Sequence, residues 1–327
     1  MFDCMWPRGL AWLTICVWSI APAMLRAADY PARPIRLVLP FPPGGGSDTL
    51  ARILAPRMSE AMGQQWVVDN RSGAGGNIAA EIVAAAAPDG YTVLLTLNSV
   101  LTMNPALYPH WRLDPQRDLQ PITQLSLGQY IVVLHPAVPA ASIRELIELA
   151  RAKPGAIKFA SSGVGSNPHL AGELLKSATK IDLTHVPYKG AGPSTIAVLS
   201  GEVQLAFQSV AAAMAHVRSG KLKAIAVTGL KRSTVAPDLP TLNESGVSGY
   251  NVISWHALLA PAKTPGTIVG RLDQTVRKVA QSPALVEIMG REGMETTVKG
   301  PDDLAALIKT EGDAWRAVIK AANIRGE

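Results

Sequence analysis

The sequence predicts an α/β protein of two lobes, each built around a sheet in which parallel strands predominate. Two observations lead to this fold class. Apolar, strand-like runs alternate with helix-like stretches, and that order places parallel strands side by side with helices on both faces. The alternation also occurs twice, on either side of an irregular stretch at 98–121 that contains four prolines. A chain of 327 residues is long enough for two such units.

The chain divides into four segments on these grounds. We assign 1–28 to an export signal, 29–126 to the first part of lobe 1, and 127–232 to lobe 2. The remaining segment, 233–327, is expected to return to lobe 1 and to end in a long helix.

The first segment has the layout of a secretory signal. Arg8 precedes an apolar run at 10–20, and small residues follow this run up to Ala28. The apolar run is too short to span a bilayer. Both cysteines lie in this segment, at Cys4 and Cys16. We therefore expect an exported protein that is cleaved near residue 28 and has no cysteine in its mature form.

The first α/β series follows the signal. Apolar runs predict strands at 35–39, 65–69 and 92–97. Helical periodicity between them predicts helices at 48–62 and 77–87. The resulting β-α-β-α-β order is typical of a parallel sheet that is covered on both faces.

The second series has shorter strands. They are predicted at 130–134, 158–160, 184–186, 205–208 and 224–227. Helices are predicted between them at 142–153, 170–177, 195–199 and 211–219. The first of these helices opens with Ser142 and has Glu145 three residues later, which is the pattern of a capping box.

The last segment begins with a loop-rich stretch at 237–249 and a strand at 252–260. Pro265 lies near the first turn of the helix that follows, a position where proline is favoured because its missing N–H would have no partner there. An amphipathic helix is predicted at about 301–321.

Turns that lead from a strand into a helix are the first places to search for a binding site, because ligands of open parallel sheets bind beyond the carboxyl ends of the strands. The turn at 40–48 has two prolines followed by three glycines. Glycines let a ligand approach the main chain, and N–H groups at the start of a helix can bind an anion. The candidate ligand-binding residues of this turn are Phe41, Gly45, Gly46, Ser47 and Asp48.

Asp48 has two interpretations. A carboxylate repels an anion, so Asp48 is better suited to capping the helix that follows. If it faces the ligand instead, the ligand must have an ammonium group, as an amino acid does.

The turn at 160–169 also joins a strand to a helix and is rich in small polar residues. Their hydroxyl and amide groups can hydrogen-bond to carboxylate oxygens, and capping the helix needs only one of them. The candidate residues are Ser161, Ser162, Gly165, Ser166, Asn167 and His169. For His169, the favoured interpretation is a residue that packs within the turn or anchors it.

The third turn, 185–193, offers an aromatic ring and a cation. Tyr188 can cover the apolar body of a ligand, and Lys189 can neutralise a carboxylate. Polar side chains at the ends of two further strands complete the candidate set: Asn98, Ser99 and Gln208. We expect main-chain N–H groups at 44–46, Gly163 and Gly165 to provide most of the contacts to an anion.

The residues leave two alternatives to a binding protein for uptake: an exported enzyme acting on a small carboxylate, or a ligand sensor for a two-component system. Catalysis needs an activated nucleophile or a tuned acid–base pair. None of the six histidines lies in a metal-spaced pair, and the turn at 40–48 is neither a P-loop nor a dinucleotide-binding glycine pattern. We therefore expect no enzyme activity and no cofactor or metal.

The formal net charge of +6 suits an anionic solute. The lysines and arginines are scattered rather than clustered, so we expect no binding to nucleic acid.

A series of short motifs runs through nearly the whole chain after the export signal. Several are distinctive: PFPPGGGSD at 40–48, NRSGAGGN at 70–77, HLAGE at 169–173 and HVPYKG at 185–190. Shorter ones lie between them, at 30–35, 89–91, 104–108 and 160–163. In this order they resemble the substrate-binding proteins of tripartite tricarboxylate transporters, the Bug family.

The resemblance implies a type II periplasmic binding fold, with two lobes joined by a hinge and a ligand held between their loops, partly through water. It implies as ligand a small carboxylate: a di- or tricarboxylate, an amino acid or an aromatic acid. On this chain the binding loops would be 44–48 and 161–167, with Tyr188 and Lys189 nearby. Gln208 and Ser209 depart from the Asp-Asn or similar pair that other members often have.

The resemblance also implies a cellular setting. We expect a periplasmic protein, most simply a monomer, which binds a small carboxylate and delivers it to the membrane subunits of a tripartite tricarboxylate transporter.

Overall fold

A computed structural model describes residues 30–43, 46–291 and 293–326. The predicted export signal at 1–28 and the candidate Gly45 lie outside these residues. The first three strands form the parallel core of one sheet, in the order β2–β1–β3. Their bounds are β1 (Ile35–Leu39), β2 (Trp66–Asn70) and β3 (Thr92–Leu97).

Two helices connect these strands, α1 (Gly46–Met62) and α2 (Asn77–Ala84). In α1 the buried apolar residues recur every four positions, at Leu50, Leu54 and Met58, so one face of the helix packs on the sheet. Helix α2 ends three residues before its predicted end at 87. The reason is the proline at 88, since a residue that precedes proline is disfavoured in helical geometry.

The stretch at 98–121, predicted to be irregular, contains local helical structure. A π-helical turn spans Ser99–Met103, followed by the short helices α3 (Asn104–Leu107) and α4 (Pro115–Asp118). The π-helical turn directly follows β3, and its Thr102 hydroxyl donates to the Asn98 carbonyl at 2.9 Å. This turn positions the residues that follow the end of β3.

One long strand, β4 (Leu119–Leu134), takes part in two sheets. Up to Gln129 it pairs antiparallel with β9 (Ile253–Pro261), and from Tyr130 onward it pairs antiparallel with β7 (Leu205–Ser209). The sequence predicted only the last five residues as a strand. Pro121 lies at a shift in register, a place where strands tolerate proline, and polar residues in this part hid the strand.

The second sheet places β5 (Lys158–Ser161) between β6 (Thr184–Pro187) and β7, all parallel. The second half of β4 pairs with β7 and also with β8 (Lys223–Val227). The helices of this sheet are α5 (Ile143–Ala152), α6 (Asn167–Thr179), α7 (Ala191–Ser200) and α8 (Val210–Arg218). Ser142 caps α5 as predicted, because its hydroxyl accepts from the N–H of Glu145.

The last part of the chain adds elements to the first sheet. Strand β9 pairs with β3 as well as with β4, and β10 (Glu295–Lys299) pairs with β4. The helices here are α9 (Gly266–Ala280), α10 (Pro283–Arg291) and α11 (Pro301–Ala321). The bounds of α11 agree with the predicted helix, whereas α10 and β10 were not predicted. The segment boundaries at 126/127 and 232/233 stay a prediction.

Apolar clusters among the described residues stabilise these layers, and two of them matter for the site. One lies on the first sheet and includes Val38, Leu94, Trp255 and Leu304. The other joins residues of the second sheet, such as Phe159 and Leu170, with residues before and after that sheet in sequence, namely Met103, Leu107, Trp315 and Ile319. Across the described ranges, no helix combines the length and apolar character needed to cross a membrane.

Candidate functional site

A cavity of about 1120 Å³ lies at the carboxyl ends of strands from both sheets. Its wall includes residues that follow β1, β3, β5 and β7, where a parallel sheet is expected to bind a ligand. The cavity brings together many of the predicted site residues: Phe41, Gly46, Ser47, Ser99, Ser162, Gly165, Ser166, Asn167, Lys189 and Gln208.

The first turn presents a hydroxyl that is held by a buried histidine. Ser47, in the first turn of α1, has its Oγ 3.0 Å from Nε2 of His256. The other ring nitrogen of His256, Nδ1, lies 2.8 Å from Oγ of Ser126. Burial lowers the pKa of His256 to about 4, so the imidazole is neutral at pH 7. His256 also lines the cavity, and it was not among the residues predicted from the sequence.

Asp48 lies in the first turn of α1 but does not line the cavity. Its carboxylate accepts from Arg52 Nε at 2.8 Å and from Asn70 Nδ2 at 3.2 Å. Asn70 in turn donates to the Phe41 carbonyl at 2.9 Å. Asp48 therefore braces the first turn through Arg52 and Asn70 and is not part of the cavity wall.

The second turn is anchored from below by two histidines. The Gly165 N–H donates to Nδ1 of His169 at 3.0 Å, and the Ser161 hydroxyl lies 2.6 Å from Nε2 of His185. The Gly163 N–H donates to the Ser161 hydroxyl at 3.2 Å. The N–H groups of Gly163 and Gly165, two of those that we expected to contact an anion, are thus engaged within the turn, so donors from this turn must be other groups.

The two histidines stack on each other, His169 being buried and His185 half-buried. Their ring centroids lie 3.8 Å apart with an angle of 11° between the planes, and Phe159 stacks on His185 at 4.9 Å. Burial, followed by His185 and Lys176 as neighbouring charges, lowers the pKa of His169 to about 3. Burial, followed by Lys176, lowers the pKa of His185 to about 4. His169 and Ser161 lie outside the cavity wall, which agrees with the anchoring role favoured for His169.

A chain of amides connects the two sheets beside the cavity. Asn98 Nδ2 donates to the Ile253 carbonyl at 3.0 Å, and Asn98 Oδ1 accepts from Asn167 Nδ2 at 3.2 Å. Asn98 is buried behind the wall, whereas Asn167 belongs to the wall. Burial raises the pKa of the Tyr130 hydroxyl, while hydrogen bonds from Asn167 and Ser254 oppose that change.

The third turn contributes Lys189, but not Tyr188, to the cavity wall. The Tyr188 hydroxyl donates to Glu202 Oε1 at 2.7 Å, and burial together with this carboxylate raises the pKa of Tyr188 to about 12. Tyr188 does not line the cavity, so the expectation that it covers a ligand is not supported. Lys189 does line the cavity and is exposed. Gln208 is held by Ser194, which accepts from Gln208 Nε2 at 3.1 Å.

Much of the apolar wall of the cavity was not predicted from the sequence. Tyr108 and Met294 come from stretches with no strong pattern, and Tyr130 and Phe207 come from strands whose faces the sequence did not assign. Further polar residues that were not selected are Thr49, Asn104, Gln129, Ser209 and Ser254. Side chains alternate between the two faces of a strand, and this alternation along β4 and β7 was the signal that could have indicated Tyr130 and Phe207 as wall residues.

The wall combines neutral hydrogen-bonding groups with aromatic rings. In the part of the chain that the structure describes, Lys189 is the one cationic residue of this wall, and the wall has no aspartate or glutamate. No group of three or more histidine, cysteine, aspartate or glutamate side chains is placed to hold a metal ion in this part either. The cavity is thus suited to an anion with a partly apolar body.

Two sheets that share a strand, with a cavity at their strand ends, define a two-lobed solute-binding protein of the type II class. A model of the family described as the tripartite tricarboxylate transporter family receptor matches residues 50–324. The chain belongs to this family.

Similar proteins agree with this assignment. Protein BugT of Bordetella pertussis (strain Tohama I) is 36% identical over 315 residues, covering 96% of this chain and 97% of BugT. The structure of R. palustris Rpa4515 with adipate has a TM-score of 0.82 and 35% identity, covering 91% of this chain and 99% of that chain. The structure of MatC (Rpa3494) from Rhodopseudomonas palustris with bound malate has a TM-score of 0.78 and 30% identity, covering 89% and 100%.

Proposed function

We propose that this protein is a receptor that captures a small carboxylate in the cavity between its sheets. The observation that carries the proposal is the arrangement of two helices, since α1 and α6 both begin at the cavity wall, at Gly46 and Asn167. Helix N-termini attract anions through their unpaired N–H groups and their dipoles. Ser47 adds a hydroxyl group, and Lys189 adds a positive charge.

The cavity favours acids without an ammonium group. An ammonium would need a carboxylate partner, and the described wall residues provide none. Phe41, Tyr108, Tyr130 and Phe207 offer apolar surface to the body of a ligand. Adipate and malate, the ligands of two similar proteins, have this chemistry. We therefore favour di- and tricarboxylates and aromatic acids over amino acids.

We further propose that the protein acts in the periplasm and delivers its ligand to membrane subunits of a tripartite tricarboxylate transporter. The family assignment supports this role, as does the secretory pattern of the sequence at 1–28.

Calorimetric titration with a panel of acids tests the proposal. We expect at least one di- or tricarboxylate or aromatic acid to bind in the micromolar range or tighter, and its neutral methyl ester to bind much more weakly. A methyl ester is neutral, so the N-termini of α1 and α6 and the charge of Lys189 no longer have an anionic group to bind. Equal affinity for acid and ester would show that the cavity is not an anion site.

One observation favours a second candidate function, an exported enzyme. Ser47 Oγ lies 3.0 Å from His256 Nε2, which is the distance between a nucleophile and its base. However, Nδ1 of His256 faces the Ser126 hydroxyl rather than a carboxylate, and a pKa lowered to about 4 makes His256 a poor base at pH 7. We therefore favour binding, and expect acids and esters to be recovered unchanged after prolonged incubation with the protein.

A further inference from the structure

Asn167 has an unusual atom in the wall of the cavity. Among the described residues, four buried side-chain atoms have no hydrogen-bond partner. One of them is Oδ1 of Asn167, and Asn167 is the one residue of these four that lines the cavity. The side chain is buried, with 4% of its surface exposed. A buried acceptor without a partner is costly, so this oxygen needs a donor.

The hydrogen bonds around Asn98 fix which end of the Asn167 amide is engaged and which end has no partner. Asn98 Nδ2 faces two acceptors, the Ile253 carbonyl at 3.0 Å and Glu311 Oε2 at 3.5 Å. A main-chain carbonyl can never donate, so the oxygen of Asn98 must point the other way. There it accepts from Asn167 Nδ2 at 3.2 Å, which leaves Asn167 Oδ1 as the free end.

This acceptor differs in kind from the other polar groups that begin the two helices. Hydroxyl and N–H groups can donate to a carboxylate, but an amide oxygen whose own NH₂ is engaged can only accept. A carboxylate oxygen placed against Asn167 Oδ1 would be repelled. The group of the ligand at this position must therefore be a donor.

We infer that Asn167 Oδ1 selects acids that have a hydroxyl group in addition to their carboxylate. This inference rests on the proposed function and narrows its ligand class. An ammonium donor is disfavoured because the described wall has no carboxylate to pair with it. A carboxyl group loses its own proton near pH 4, whereas a hydroxyl keeps its proton at neutral pH.

Matched pairs of acids that differ by one hydroxyl group test the inference. Affinities at pH 7.5 are measured by calorimetry for succinate with malate, glutarate with 3-hydroxyglutarate, and adipate with 3-hydroxyadipate. In the best-binding pair we expect the hydroxylated acid to bind about fivefold more tightly, the value of one ordinary hydrogen bond. Asn167→Leu should reduce this ratio to about one.

Gln124→Leu is the matched control. Gln124 is also a buried amide whose oxygen has no partner, but it lies in β4 away from the cavity wall. The Gln124→Leu variant should keep the fivefold ratio of affinities that is expected for the native protein. Asn167→Asp gives a second variant, since it keeps an acceptor at this position; both acids should bind more weakly to it while the hydroxylated acid stays preferred.

The native protein alone can overturn the inference. Equal affinity within every pair that binds would mean that water, and not a ligand hydroxyl, satisfies the oxygen. A ratio that persists in Asn167→Leu would also overturn it. Failure of every acid in the panel to bind would defeat the proposed function, and this inference with it.

Discussion

Buried neutral histidines determine where the polar groups of the cavity lie. His256 holds Ser47 on the first turn, and His169 holds Gly165 on the second. Both have a pKa far below the ordinary histidine value because they are buried. They therefore position hydrogen-bonding groups without adding a charge that would change between pH 6 and pH 8.

Ser47→Ala tests the part that the first turn plays in binding. Removing the hydroxyl leaves a carboxylate with one hydrogen bond fewer, so we expect the affinity for the best acid to fall about three- to tenfold. Titration calorimetry gives the affinity of native and variant protein. Ser59→Ala is the control, because Ser59 lies further along α1 and does not line the cavity.

A loss of affinity in both variants alike would point to a general weakening of α1. If Ser47→Ala binds the acid with the affinity of the native protein, the Ser47 hydroxyl does not contact the ligand.

Most of the candidate residues that line the cavity lie in the turns, where residue type reports directly on geometry. Glycine, proline and serine between a strand and a helix indicate a turn that can approach a ligand. His256 could not be found in this way, because it lies 209 positions from Ser47 and follows no turn. Asp48 and Tyr188 were selected by position, but their side chains turn away to Arg52 and Glu202.

At the scale of elements, the stacked imidazoles beneath the turn between β5 and α6 couple folding to pH. The ordinary pKa of a histidine in an unfolded chain is about 6.5. In the folded protein His169 has a pKa of about 3 and His185 of about 4. As the pH falls, these histidines are therefore protonated in the unfolded chain at a higher pH than in the folded protein. This contribution to stability is complete above pH 6.5 and is lost as the pH falls toward 4 and then 3.

His185→Phe tests this coupling. Phenylalanine can stack on Phe159 but cannot be protonated, and it loses the contact with Ser161. We expect a variant that is about 1 kcal/mol less stable at pH 7. Its free energy of unfolding should depend less steeply on pH between 6 and 4.5, where one buried histidine contributes up to about 1.4 kcal/mol per pH unit. Urea titrations at several pH values measure this slope.

His110→Phe serves as the control for that experiment, since His110 is exposed, and it should keep the slope of the native protein. A slope that does not change in His185→Phe would contradict the buried, neutral state of the stack.

The elements that were hardest to predict are those defined by their partners. The sequence predicted α11 well because its periodicity is long and regular. Strand β10 has only five residues, largely half-buried, and exists because β4 offers it an edge. The first part of β4 likewise follows from its pairing with β9 and not from a local preference.

On the scale of the whole molecule, β4 is one of two places where the chain passes between the sheets, the other being the return from β8 to β9. Its pairing changes from β9 to β7 between Gln129 and Tyr130, and both residues line the cavity. A small change of backbone angles there would move one wall of the cavity toward the other. Such closure is the hinge motion expected of two lobes around a ligand.

Small-angle scattering tests closure. With a saturating acid we expect a smaller radius of gyration, and spin labels on the exposed Glu60 and Lys153 should report a shift in distance distribution. A non-binding ester is the control and should leave both measurements unchanged. Identical scattering with and without a bound acid would argue against closure.

The fold class was predictable because the alternation of strands and helices is a property of the whole chain, which single errors do not change. The contacts that cross between the sheets were not predictable. Asn98 and Asn167 meet although they are 69 positions apart, and no local pattern specifies such a pair.

The second apolar cluster combines residues from different segments of the chain, and this has a consequence for recombination between related genes. Residues on both sides of the central segment, Met103 and Leu107 before it and Trp315 and Ile319 after it, complete the core around Phe159. A fragment of 127–232 transplanted alone into another receptor would lack these four side chains and expose the apolar surface they cover. Exchange of binding preference between relatives should therefore proceed through substitutions in the turns, while the lobes are inherited together.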